Sequence, residues 1–289
     1  MVGSRQAVLV EVSDRPLGEH AVHWAADEAA LRSLPLRLLY VQAGAAITLP
    51  DAEPESRAHT WATHIHARGE TLLREARDQA LRHHPGLEID TELAAGRPPR
   101  VLREAARSAS LVVLPTPRHA VADSLFTPRD EADALTGHPA CPVVLVREPL
   151  PGVPDDAPVA VGADGSPSAR PAVDLAFEEA SLRGVGLVAI LVRTPRDAGR
   201  TDALAEARAD LSESLAAHRE RYPGVEVRQD VLVGDPAAML ASASRHARCL
   251  VVGTRRRSGL REALVASTSR SLIHGTDCPL IIAPAPSAP

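Results

Sequence analysis

Residues 8–29 read VLVEVSDRPLGEHAVHWAADEA and residues 159–180 read VAVGADGSPSARPAVDLAFEEA; the two stretches lie over one another without a gap. Each starts as a short apolar run of strand character, crosses a polar turn and continues as an amphipathic helix. Val22, Ala25, Ala26 and Ala29 fall at the i, i+3, i+4, i+7 spacing of a core-facing helix, and Val173, Ala176, Phe177 and Ala180 repeat that spacing. Self-similarity continues outward. LRLLYV (36–41) matches LVAILV (187–192), AAGRPPRVLREAA matches LVGDPAAMLASAS through Gly96 and Gly234, LVVL (111–114) matches LVVG (250–253), and CPVVLV matches CPLIIA near the end of each copy. The two halves are therefore copies of one unit.

Within each copy strands and helices alternate, which predicts a mostly parallel sheet covered on both faces. Solid apolar runs such as Leu250, Val251, Val252 and Leu280, Ile281, Ile282 read as strands buried on both sides. Leu87, Ile89, Thr91 and Leu93, like Val225, Val227, Val231 and Val233, occupy alternate positions and read as half-exposed edge strands. Amphipathic segments at 55–84 and 202–222 supply the second helix of each copy, with Leu204, Ala207, Leu211 and Leu215 as a core stripe. Residues 148–158 (EPLPGVPDDAP) are Pro-rich and without periodicity, as expected of a linker. The expected domains are thus 1–147 and 159–289, joined by 148–158.

Composition agrees with two domains and removes several functions. The chain has 289 residues (30.6 kDa), 45% hydrophobic and 24% charged, a globular balance. Aromatics are only 2%, so the cores must be aliphatic and base-stacking platforms for single-stranded nucleic acid lack material. A net charge of −5 argues against a duplex-binding surface. All 32 basic residues are Arg; without Lys there is no Walker A loop, kinase-type Lys or Schiff base. The apolar start is broken at Glu11, and no run reaches the roughly 20 apolar residues of a membrane span. A cytoplasmic protein with no membrane or nucleic-acid partner is expected. Three Cys without a CxxC pair read as small buried thiols.

The 159–180 stretch, together with LVVGTRRRSGLREALVASTSRSLIHGTDCPLIIA (250–283), resembles the universal stress protein family in its tandem form, over nearly the whole of both halves. The resemblance implies two five-stranded, Rossmann-like α/β sandwiches of the adenine nucleotide alpha hydrolase-like class, with strand order 3-2-1-4-5 and the two domains paired within the chain. A homodimer and an unidentified protein partner are left open. It also implies a stress-response role without established catalysis and, in some members, ATP binding, with Mg accompanying ATP.

In an open doubly wound sheet the ligand crevice lies beyond the strand C-termini where the strand order reverses. Asp164 and the loop after Val252 should meet there. A carboxylate can accept from nucleoside hydroxyls, and a Gly-rich loop leading into a helix offers N–H groups to phosphate. By family analogy Val192 supplies backbone contacts to the base. The family's phosphate loop places Gly, Gly, Gly and Ser or Thr where this chain has Gly253, Arg256, Ala266 and Ser267, with Gly259 retained nearby. Arg255 and Arg256 read either as a phosphate clamp or as a solvated turn, and Ser267 and Thr268 either as phosphate ligands or as helix caps. In the first copy Ser13 stands at the Asp164 position and no Gly occurs between Leu114 and Gly137, so nucleotide binding is expected of the second domain only.

Ser166 followed by Pro167 reads as a helix N-cap with Pro at the first helical position. His64 and His66 are two apart on a helix and do not share a face, so the His-rich segment with His59, His83 and His84 does not read as a metal site. No nucleophile with a partnered base is evident, and no catalytic residue is assigned. The leading reading is a non-catalytic stress-response module; the alternatives are a nucleotide-independent scaffold and a slow ATPase.

Overall fold

A computed structural model describes residues 6–13, 16–42, 57–117, 132, 135–136, 139–148, 151–166, 169–198, 202–254, 268, 271–273 and 275–285. The chain divides into two compact units, one formed by residues 1–135 and 146–148, the other by 136–145 and 149–289.

The first unit runs β1 (Ala7–Glu11), α1 (Pro16–Arg32), β2 (Leu36–Gln42), α2 (Arg57–His83), β3 (Ile89–Ala95), α3 (Pro98–Ala105) and β4 (Ala109–Pro115). Its strands are parallel in the order β3-β2-β1-β4, and Thr116 N–H carries the pairing on to the carbonyl of Val146 at 2.8 Å. The strand β5 (Val143–Val146) straddles the division, and its residues 143–145 belong to the second unit.

The second unit continues with β6 (Val159–Gly162), α4 (Arg170–Arg183), β7 (Leu187–Arg193), α5 (Ala203–Arg221), β8 (Val227–Val233), α6 (Pro236–Ser244), β9 (Cys249–Gly253) and β10 (Leu280–Ala283). A single helical turn, Pro195–Ala198, precedes α5. The strand order is β10-β9-β6-β7-β8, all parallel, which is 3-2-1-4-5 when β6 is counted first. On the outer side of β10, Leu145, Val144 and Val143 pair antiparallel with Leu280, Ile281 and Ile282.

Aliphatic side chains build both cores. Strands β1, β5 and β10 are buried along their whole length, whereas β3 and β8 sit at the sheet edges and Val233 is 45% exposed. The alternation read in those two segments is therefore that of edge strands. Val22, Ala25, Ala26 and Ala29 of α1 and Val173, Ala176, Phe177 and Ala180 of α4 are all buried. Small residues let these helices lie close on their sheets; Phe177 supplies bulk in the second unit and stacks on His218 and Tyr222. In α5 the stripe is Ala203, Ala207, Leu211 and Leu215, with Leu204 only half-buried. Leu204 lies one residue off a face whose turn-by-turn spacing is met by Ala203.

Both copies carry the same buried ion pair one helical turn apart, Glu28 with Arg32 and Glu179 with Arg183, each Glu being fully buried. Removing one partner of such a pair strands a charge in a low-dielectric interior. A second cross-link ties the first helix of each copy to its second helical segment: His84, just past the end of α2, has Nε2 2.7 Å from Asp27 Oδ1, and His218 of α5 has Nε2 2.6 Å from Asp174 Oδ1. His64 and His66 are exposed on α2, and among the described residues no group of three His, Cys, Asp or Glu is placed to hold a metal ion.

The helix ends differ between copies. Gly184 caps α4 with φ +64°, which a residue without Cβ adopts at no steric cost, while Ser33 occupies the same place after α1 at φ +54°. At the other end α1 starts at Pro16, with Pro at its first position, but α4 starts only at Arg170 with Ala169 as its N-cap residue. Pro167, the first helical position expected after a Ser166 cap, lies outside the described residues. Ser166 N–H is taken by the side chain of Asp164 and its carbonyl accepts Ala169 N–H at 3.0 Å, so residue 166 is built into a turn ahead of the helix.

Candidate functional site

The chain runs from β6 outward through β7 to β8 and then returns to the other side of β6 as β9, so the topological switch of the second unit lies between β6 and β9. Neighbouring strands there send their following loops in opposite directions and leave a crevice at their C-termini. A cleft of about 480 Å³ occupies that place.

Its floor is the end of β6. Gly162 lies so near α6 that a Cβ there would come within 3.1 Å of Leu240 Cδ1. Ala163 N–H donates to Ile190 carbonyl at 2.9 Å, which continues the ladder with β7 and holds the next residue on a fixed backbone. That residue is Asp164. Its Oδ1 accepts Ser166 N–H at 2.9 Å across Gly165, whose φ of +76° strongly favours a residue without a side chain. The turn holds a carboxylate on the cleft lining.

At the end of β7, Val192 lines the cleft beside Arg193 and Thr194. Arg193 carbonyl accepts Gly234 N–H at 2.9 Å, tying the end of β7 to the turn after β8. Arg193 Nη2 lies 3.4 Å from Asp210 Oδ2 on α5, and both side chains reach the cleft. On the opposite side, Gly253 ends β9 and pairs with Ala283; Thr254 then fixes the chain by donating from N–H and Oγ1 to Ala283 carbonyl, both at 3.1 Å. Thr268, in helical conformation, and Leu272 close that side.

Asp164, Val192, Gly253 and Thr268 thus line one cleft. Arg255, Arg256, Gly259, Ala266 and Ser267 lie outside the described residues. Arg193 and Asp210 also line it, and sequence reading passed over them. Arg193 follows Val192 directly and was within reach of the strand pattern; Asp210 arrives from a helix and carries no local signal. Among the described residues the lining is apolar at Ala163, Ile190, Leu240 and Val252, with the carboxylates of Asp164 and Asp210 and the guanidinium of Arg193. Apolar walls with a few convergent polar groups suit a small ligand that carries hydrogen-bonding groups.

The corresponding place in the first unit is built differently. Glu11 stands where β6 has Gly162, in the same strand register, since Glu11 pairs with Leu39 as Gly162 pairs with Ile190. Glu11 is buried. A glutamate side chain thus takes the position at which the second unit has no side chain. Ser13 replaces Asp164, and its Oγ is buried without a hydrogen-bond partner among the described residues. Gly18 of α1 lies so close that a Cβ would come within 2.5 Å of Ser13 carbonyl oxygen, whereas the second unit has Ala169 there. The Glu11 and Gly162 difference was visible in the aligned copies and is the clearest sign that the two places differ.

The profile of the universal stress protein family matches residues 4–147 and again residues 157–284. Universal stress protein Rv2005c of Mycobacterium tuberculosis is 31% identical over 291 residues, covering 96% of this chain and 97% of its own. Universal stress protein Rv1996 of the same organism is 30% identical over 307 residues, covering 98% and 96%. Among solved structures, a universal stress protein from Archaeoglobus fulgidus DSM 4304 superposes with a TM-score of 0.71 at 17% identity, covering 98% of this chain and 97% of that one, a likeness of fold.

Proposed function

The chain belongs to the universal stress protein family, and from that premise we propose that its second domain binds an adenine nucleotide in the cleft between β6 and β9 as a cytoplasmic stress-response module. The observation that carries this reading is the convergence of Asp164, Val192, Gly253 and Thr268 on one cleft of about 480 Å³ at the topological switch. Asp164 is the acceptor for sugar hydroxyls, and Val192 stands at the base end. Gly253 and Thr268 mark the side on which phosphates lie. Mg, where ATP is the ligand, would be carried mainly by the phosphates, as is usual for this hard cation.

The first domain, 1–147, is on this reading a structural partner joined through 148–158 to 159–289. Glu11, Ser13 and the close approach of Gly18 support it, because they fill and rearm the place where the second unit is open. Intrachain pairing of the two halves is part of the proposal, as the tandem match of the family over both halves suggests. Efficient catalysis is not.

Titration of the whole chain with Mg-ATP, by calorimetry and thermal shift, tests the reading. Ligand at a hundred times its Kd should stabilise by about 2.7 kcal/mol. The absence of both heat and shift at millimolar ATP would overturn it. Phosphate release in a parallel assay should stay at the level of an Asp164→Ala control.

A further inference from the structure

We propose that the strand ends of the first unit hold a ligand of their own, a small uncharged polyol of monosaccharide size, bound through Ser13, Gln42 and Thr116. The inference concerns the first unit alone and does not depend on the nucleotide reading of the second.

It starts from a difference between the copies at three equivalent positions. Ser13 stands where the second unit has Asp164, Gln42 where it has Arg193, and Thr116 where it has Thr254. The last equivalence follows from pairing: Thr116 N–H donates to Val146 carbonyl at 2.8 Å and Thr254 N–H to Ala283 carbonyl at 3.1 Å, each reaching the last residue of the neighbouring strand. In the second unit every one of these side chains has a protein partner. Asp164 accepts Ser166 N–H, Arg193 meets Asp210, and Thr254 Oγ1 donates to Ala283 carbonyl. In the first unit Ser13 Oγ, Gln42 Nε2 and Thr116 Oγ1 are buried with no partner among the described residues. Gln42 is 6% exposed and Thr116 only 2%. Buried polar groups that lose their hydration without a replacement bond are costly, and three of them at one end of a sheet call for an occupant.

The chemistry of the place narrows what that occupant is. The three side chains leave β2, β1 and β4, neighbouring strands about 4.8 Å apart, so their backbones are spread over about 10 Å. One water, bonding at about 3 Å on each side, does not serve all three. Gln42 Nε2 only donates, whereas the two hydroxyls donate and accept. Glu11 is buried two residues before Ser13 on the same strand face, and its carboxylate only accepts. Arg147, also buried, donates to Pro117 carbonyl at 3.3 Å beside Thr116 and brings the opposite charge. An anion would confront Glu11, and a cation has nothing with which to accept from Gln42. Hydroxyl groups, which do both, suit such a mixed set, and the opposed charges call for a neutral molecule. Phosphate is further disfavoured because the residue before Thr116 is Pro115, which has no N–H, where Gly253 precedes Thr254.

The test is calorimetry on the whole chain with D-glucose, D-ribose, myo-inositol and glycerol at millimolar concentration, of which at least one should bind. Thr116→Val keeps the shape and removes the hydroxyl; Gln42→Met keeps the length and removes the amide. Each should weaken binding about two- to tenfold, while Asp164→Asn should leave it unchanged. Without ligand, Thr116→Val should melt no lower than wild type, since no bond within the protein is lost. If none of the four binds, or both variants bind as wild type does, the inference is overturned and ordered water meets these groups. A lower melting point for unliganded Thr116→Val would also overturn it, because the hydroxyl would then have its partner inside the protein. Loss of binding in Asp164→Asn would place the polyol in the second unit and refute the assignment, leaving the nucleotide reading to its own titration.

Discussion

Replacing Asp164 by Asn separates the turn from the ligand. Oδ1 of Asp164 accepts Ser166 N–H at 2.9 Å, and the carbonyl of Asn accepts the same bond, so Gly165 keeps its φ of +76° and the loop keeps its path. The unliganded variant should melt close to wild type. What goes is a charged acceptor facing the sugar. A hydrogen bond to a charged group is worth about 1.5–3 kcal/mol, or about 10- to 150-fold in Kd. With ATP at a hundred times the wild-type Kd, the wild type gains about 2.7 kcal/mol, an upward shift of about 5–10 °C for a chain of this size. At the same concentration the variant should gain only about 0.3–1.4 kcal/mol, about 1–5 °C. Differential scanning fluorimetry with and without Mg-ATP reads both quantities, and calorimetry checks the affinity. Ser13→Ala is the internal control and should leave the ligand-induced shift unchanged. A full shift in Asp164→Asn, or an equal loss in Ser13→Ala, would refute the assignment of the carboxylate and of the asymmetry.

Two further outcomes concern stability. Ser33 holds φ +54° where the second copy has Gly184, and a left-handed backbone costs an L side chain about 1–2 kcal/mol, so Ser33→Gly should stabilise by about 0.5–1 kcal/mol after the greater freedom of unfolded Gly is deducted; a urea melt with no gain would contradict it. Burial pushes the Cys141 thiol up from 9.0 to about 11. A folded-state value above the unfolded one favours folding while the thiol is protonated in both states. That contribution, of order 2–3 kcal/mol, is present below about pH 9 and is lost as pH rises toward about 11. Cys141→Ala should flatten that part of the stability profile, and an unchanged alkaline slope would show that the thiol does not set it.

The repeat carried most of the architecture. Copies laid over one another gave each strand twice, and the alternation at Val227, Val231 and Val233 distinguished an edge from the unbroken Leu280, Ile281 and Ile282 of a buried strand. Asp164 and Gly253 were legible because strand ends at a switch point are fixed by topology. Other features were set by tertiary contacts that periodicity does not record. The Asp164 side chain accepts Ser166 N–H, a turn contact ahead of α4 that the Ser-Pro pair alone does not announce. Asp210 reaches the cleft only through the packing of α5 over the β6 turn. Leu204 yielded its core place to Ala203 by the phase of one helix. The grouping of residues 136–145 with the second unit follows from strand pairing across more than a hundred residues, for which local sequence has no sign.

Those few residues matter for anyone who cuts the chain. A fragment starting at residue 159 would keep every strand of its own repeat yet lose residues 143–145, baring the outer rim of Leu280, Ile281 and Ile282. Such a rim is wholly oily, and its peptide groups would have no neighbour to bond. The natural remedy is another copy of the same rim. Isolated second halves should therefore stick to one another, and an oligomer seen in such a fragment would report the cut and not the habit of the intact protein.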